Sequence, residues 1–179
     1  KIVKKIILDK RGEILRKQYI NYPLNLPVNI SYYNIHNYPT HWHSSTEIIY
    51  VLEGTINISI DTDSFILKEN EVEIINPDEC HSFSSESDNK VLIFQIDPDF
   101  FEKYYKDIRN VFFYTNSNDE EDQSSEKYDE LKSLLCKILC EFVQTLDDFD
   151  EQIEDILINL LYHLINNVHN LTTDKEELK

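Results

Sequence analysis

Four side chains have the types and spacing to do chemistry together: His41, His43, Glu47 and, later in the chain, His81. His41 and His43 are two apart, and on an extended chain such residues point the same way. Glu47 keeps that parity, as do Ile49 and Val51. The spacing therefore predicts one interior face that carries both the donors and an apolar lining. Trp42, Ile48, Tyr50 and Leu52 fall on the opposite face, for which C-terminal helices are the natural cover. His81 can join only if its strand neighbours this one. Imidazoles with a carboxylate suit a divalent metal such as zinc, iron, nickel or manganese. The same residues also suit the wall of a pocket for a sugar- or metabolite-sized molecule, or hydrogen-bonded barrel positions. Sequence alone leaves all three open. Phe83 shares the parity of His81 and is the best candidate for a pocket wall. Tyr32, Tyr33 and Tyr38 are further candidates for stacking on a ligand, with core packing the plainer alternative.

Such a cluster needs a frame, and the pattern around it is that of short strands. Val28, Ile30, Tyr32 and Ile35 sit in a β-rich run that Pro39 is expected to close. Residues 47–53 form an apolar run ended by Gly54, as expected of a strand buried on both faces. Residues 55–60 alternate isoleucine with small polar groups. Further strands are expected at 65–67, 72–75, 80–83 and 91–96, joined by polar turns. Strands this short and this regularly spaced point to a sandwich or barrel. A small barrel leaves room for side chains or one small ligand. Ahead of it, 6–8 reads as a short strand and 9–12 as a turn in a mixed lead-in.

After residue 96 the pattern becomes helical. Asp97-Pro98-Asp99 can start a short helix carrying Phe100 and Phe101. The polar, acidic stretch from Asn116 to Glu126 reads as a loop. Two amphipathic helices are then expected, at about 127–146 and 150–170. The apolar stripe of the second is wider than one packing partner needs. Ile153, Leu157, Leu160, Leu164 and Val168 come close to coiled-coil spacing, so these five are expected to form a dimer seam. Intramolecular core is the plainer alternative, and the two are compatible. His163 and His169 are placed on this helix as ordinary packing or surface residues, and His36 likewise lacks partners at useful spacing. The expected organisation is a barrel with lead-in and short helix over 1–114, an acidic loop over 115–126, a helical pair over 127–170 and a linker over 171–179.

The totals narrow the function. There are 34 acidic against 17 basic residues, a formal net charge of −17. Nucleic-acid binding rests on cationic side chains, so this segment is not expected to bind DNA or RNA itself, and an anionic membrane surface is an equally poor partner. No stretch approaches the ~18 apolar residues of a membrane span. The three cysteines, Cys80, Cys136 and Cys140, are odd in number and form no C-x-x-C pair, which suits free thiols in a reducing, cytoplasmic setting. The chain opens on Lys1 and contains no methionine, so it is expected to be a piece of a longer protein.

His41, His43, Glu47 and Gly54 resemble the first motif of the cupins, and residues 70–81 with His81 resemble the second. Departures are Ile35 and Ser85, where glycine and asparagine are usual, and Asn70 and Asp78 at glycine positions. Asn and Asp accept left-handed backbone better than most residues. A narrower likeness runs from about residue 22 to 170. His41-Trp42-His43, Glu47 to Gly54, Ile75-Asn76-Pro77 and Gln95 to Phe101 are similar to the sensor half of AraC-type transcriptional regulators. The resemblance implies a mainly β fold with C-terminal helices: a cupin-like jelly-roll barrel followed by an antiparallel helix pair. It also implies a non-enzymatic, homodimeric sensor whose DNA-binding half is absent here. A small-molecule effector, with a sugar among the candidates, would contact His41, His43, Glu47, His81 and Phe83. No cofactor is required, though a divalent metal on His41, His43, Glu47 and His81 fits the donors. The rival is a metal-dependent cupin enzyme of dioxygenase or isomerase type.

Overall fold

The computed structural model describes residues 15–23, 26–115, 125–144 and 149–172. The strand expected at 6–8, the turn at 9–12, nearly all of the acidic loop and the linker beyond residue 172 lie outside them. Strands β1 (Arg16–Lys17), β3 (Asn37–Trp42), β8 (His81–Ser84), β5 (Thr55–Ile60) and β6 (Asp63–Lys68) form one sheet in that order. Strands β2 (Val28–Tyr33), β9 (Lys90–Ile96), β4 (Thr46–Glu53) and β7 (Val72–Ile75) form the second. This is the mainly β, cupin-like jelly roll that the sequence implied.

Strand alternation sets up three layers. Ile49, Val51, Val91 and Ile93 point between the sheets, where they meet Ile56, Ile58, Leu67 and Phe83 of the opposite sheet. The alternate residues Ile48, Leu92, Phe94 and Ile96 face outward and pack under helices. These are α1 (Pro98–Tyr104), α2 (Glu126–Val143) and α3 (Phe149–Asn167). Helix α1 starts where expected: Asp97 accepts from the Asp99 N–H at 2.9 Å, and Pro98 takes the first turn, where no donor is needed. Helices α2 and α3 run antiparallel. His163 is buried between them and donates from Nε2 to the Lys127 carbonyl at 2.8 Å.

The seam residues need correcting. Ile153, Leu157, Leu160 and Leu164 are fully buried and Val168 is 4% exposed, all within one chain. They belong to the core shared with α2 and the sheet. The stripe is wide because it has two partners in its own chain, so these five have no surface left for a second copy. The second helix is also shorter than expected. It ends at Asn167, and His169 lies on strand β11 (His169–Thr172), which pairs antiparallel with β10 (Val111–Tyr114). Pro39 does not close a strand but lies within β3, where the register with β8 shifts and no ladder donor is called for.

The left-handed turns bear out the substitutions at glycine positions: Asn70 has φ 65° and Asp78 has φ 68°. Gly54 has φ 79°, and a Cβ there would stand 2.8 Å from the Asp88 carbonyl oxygen. Both strain and clash oppose a side chain, so Gly54→Ala should cost about 1–3 kcal/mol. Chemical denaturation should show a lower midpoint with an unchanged slope; an unaltered midpoint would mean the loop relaxes freely.

Candidate functional site

The four donors do come together, though not along one strand. His41 is on β3 and His81 beside it on β8, directly paired. The chain then turns, placing His43 in the corner and Glu47 on β4 of the other sheet. A corner between the sheets gathers the cluster, where the spacing had placed it along one strand. The same corner puts Trp42 away from the helices. It is buried beside the lead-in strand β1, with Lys17 Nζ 4.8 Å from its ring. Leu52 is 38% exposed and has lost its expected cover.

The imidazoles are held by their own neighbourhoods. Nδ1 of His41 donates to the Pro39 carbonyl at 3.1 Å, and Nδ1 of His81 to the Glu79 carbonyl at 3.0 Å. A carbonyl only accepts, so the proton sits on Nδ1 and the Nε2 lone pair faces inward. His43 places Nδ1 3.2 Å from the Ser45 carbonyl and Nε2 2.9 Å from Glu47 Oε2. Both partners are acceptors, and a neutral ring donates to only one of them at a time. The three rings bring their ligand atoms within 4.8 Å of one another.

Glu47 is fixed from the four-stranded sheet. Asn29, Gln95 and Glu47 are cross-strand partners on β2, β9 and β4. The Asn29 amide donates to Gln95 Oε1 at 2.9 Å, and the Gln95 amide donates to Glu47 Oε2 at 2.7 Å. Burial alone would raise the Glu47 carboxyl, but the His43 bond, the charges of His81 and His43 and the Gln95 amide together hold it below the usual range. Burial pushes His81 down to about 4 and also lowers His41. With His81 neutral at neutral pH, the bonds from His43 and Gln95 are what keep Glu47 ionised.

Within the cluster two buried atoms are left over. Glu47 Oε1 and His81 Nε2 have no hydrogen-bond partner and lie 3.6 Å apart. An acceptor lone pair facing a carboxylate oxygen is what a bound cation would resolve, and anchored Nδ1 protons are the support a metal-ligating histidine needs. The residues therefore fit a divalent metal.

Beside the cluster lies a cavity of about 370 Å³. His41, Glu47, Phe83, Tyr33 and Tyr38 are among the residues that line it. His43 and His81 do not line it; they stand behind that floor. Tyr32 is 58% exposed and points away. The lead-in residues Gln18–Asn21 make one wall, and Asn29 and Gln95 supply amides that sequence reasoning passed over. Gln95 had a visible signal: it is the one polar residue inside the apolar run 91–96.

A model of the family described as the AraC-like ligand binding domain matches residues 29–161. The chain belongs to this family. Among curated proteins no match is found. Several solved structures resemble it in part. A cupin-2 domain containing protein from Shewanella frigidimarina is 19% identical with a TM-score of 0.38, over 42% of this chain and 74% of that one. A cupin protein from Bacteroides fragilis is 26% identical with a TM-score of 0.35, over 40% and 64%. A protein from Neisseria meningitidis is 19% identical with a TM-score of 0.38, over 44% and 79%. No described helix of this AraC-like domain is long and apolar enough to cross a membrane.

The buried His81 makes metal-free stability depend on pH. An unfolded imidazole titrates near 6.5, whereas the folded one accepts its proton only at about 4. Stability is therefore full above pH 6.5 and falls as the pH drops toward 4, by roughly 3 kcal/mol if this group acts alone. Chelator-treated protein should show that slope in urea unfolding, and His81→Asn should flatten it. An equal slope in both proteins would place the titration elsewhere.

Proposed function

We propose that this domain senses a small polar molecule in the cavity beside the histidine cluster and passes its occupancy to a transcription-regulating segment. The observation that carries the proposal is the cavity floor, where ionised Glu47 and the Nε2 face of His41 meet the Asn29–Gln95 amides. Family membership supports a ligand-binding rather than a catalytic role. Among the lining residues Glu47 is the one formal charge, with no lysine or arginine. A free carboxylate or phosphate would meet repulsion and find no cation. A neutral polyol or a cationic molecule suits the site, and Tyr33, Tyr38 and Phe83 offer faces for a sugar ring.

A second component is favoured by the unpartnered Glu47 Oε1 and His81 Nε2. A divalent metal would be held by His41, His43, His81 and Glu47, and would supply Lewis acidity at the cavity floor. Thermal-shift screening of sugars and polyols, run beside elemental analysis of the purified protein, tests both parts. The expected result is a neutral polyol that raises the midpoint of wild type by several degrees and of Glu47→Gln by much less. Stoichiometric zinc or nickel lost in His81→Ala would establish the metal. Bound iron or manganese with turnover of a substrate would overturn the sensor in favour of the cupin enzyme.

The proposed homodimer uses the outward side of the helices rather than the five buried residues. Cys136, Cys140 and Val143 are exposed on α2, with Leu139 half-buried between them, a second stripe at i, i+3, i+4 and i+7. Val143, 69% exposed, is its largest uncovered apolar side chain. Sedimentation analysis should show a dimer that Val143→Glu turns into monomer at micromolar concentration without loss of fold; a monomeric wild type would refute it.

A further inference from the structure

The turn between β7 and β8 does more than reverse the chain. Asn76 is 3% exposed, and every polar atom of its amide is engaged. Its Oδ1 accepts from the Phe113 N–H at 2.8 Å, while Nδ2 donates to the Phe113 carbonyl at 3.0 Å and to Glu79 Oε2 at 3.1 Å. Glu79 Oε2 also accepts from the Asn76 N–H at 2.7 Å. The side chain thus serves Phe113 of β10 as a neighbouring strand would, with one donor and one acceptor, and spends its second N–H on closing its own turn. Aspartate has the shape but neither N–H, and would set a second carboxylate beside Glu79.

The same turn holds two of the cluster's histidines. The Glu79 carbonyl takes the Nδ1 proton of His81. The Asp78 N–H donates to the His43 carbonyl at 2.8 Å. On its other side, Phe113 is paired with Asn170 of β11. Asn170 in turn donates from Nδ2 to the carbonyls of Ile165 and Val168, both at 2.9 Å, closing the end of α3. A run of hydrogen bonds, those between Asn76 and Phe113 buried and the others partly so, therefore joins the imidazoles to the last described strand.

We infer that Asn76 is a positioning residue that fixes His81 through Glu79 and couples the histidine cluster to the β10–β11 ribbon. A change at the cluster is thereby felt at β10 and β11. The use of this coupling rests on the effector-sensing proposal; its existence does not, and its test needs no ligand.

The test is hydrogen exchange on metal-free wild type, His81→Ala, Asn76→Asp and the double variant, with Phe83→Leu as control. Phe83 shares β8 with His81 but has no bond to the turn. Exchange at 111–114 and 169–172 should be roughly tenfold faster in His81→Ala than in wild type, after correction for global stability read from the β5–β6 hairpin. Asn76→Asp should open the ribbon by itself, and His81→Ala should add nothing to it. Imidazole nitrogen NMR should show His81 with its proton on Nδ1 in wild type and a tautomer mixture in Asn76→Asp, a change that loss of stability alone does not produce. Ribbon exchange unmoved by His81→Ala, or moved equally by Phe83→Leu, would overturn the inference. Neither result would bear on whether an effector binds.

Discussion

An ionised carboxylate with 1% exposure sits inside this barrel, and much of the structure around it answers that one fact. An unpaired charge in such a place costs several kcal/mol. Glu47 avoids that cost through the Gln95 amide on one side and His43 on the other. Gln95 needs Asn29 to hold its carbonyl oxygen, so the demand spreads across β2, β9 and β4 along one register row. A one-residue slip of β4 against β9 would turn Glu47 into the helix-facing core and Ile48 into the site. Pairing register and charge compensation are therefore a single constraint on β4 and β9.

Those two strands also carry the packing. One face of each closes the barrel and the other seats the helices. The helical layer cannot shift far without disturbing the sheet that presents Glu47 and Gln95. The domain thus has two apolar cores meeting at one sheet, with its polar chemistry at one end of the inner core.

Much of the fold was legible because it is written in local periodicity. The alternation at 55–60 and the doubly buried runs at 47–53 and 91–96 gave strands with nearly correct ends. The left-handed turns at Asn70 and Asp78 followed from the cupin resemblance, in which both stand at glycine positions that Asn and Asp tolerate. What stayed hidden depends on distant partners. Strand β11 continues a helical-looking sequence and extends only because β10, 55 residues or more away, pairs with it. The second partner of the α3 stripe was expected to be another chain because the sheet beneath α3 leaves no mark on the helix's own period. In the site, residue types named the donors, but Asn29 and the roles of Asn76 and Gln95 required the strand order.

Each anchoring carbonyl of the cluster lies two positions from the histidine it holds: Pro39 for His41, Ser45 for His43 and Glu79 for His81. Ring orientation is therefore written in tripeptides, whereas the cavity wall is assembled from strands and from the lead-in. The two halves meet at His41. A substitution at Tyr33 changes the wall without touching the carbonyls that aim the imidazoles, whereas Tyr38 lies edge-on to His41 with ring centroids 4.7 Å apart, and the lead-in strand pairs with β3 at His41 and Trp42. Ring aim is thus set by residues close by in the chain, and the shape of the wall by residues far apart in it.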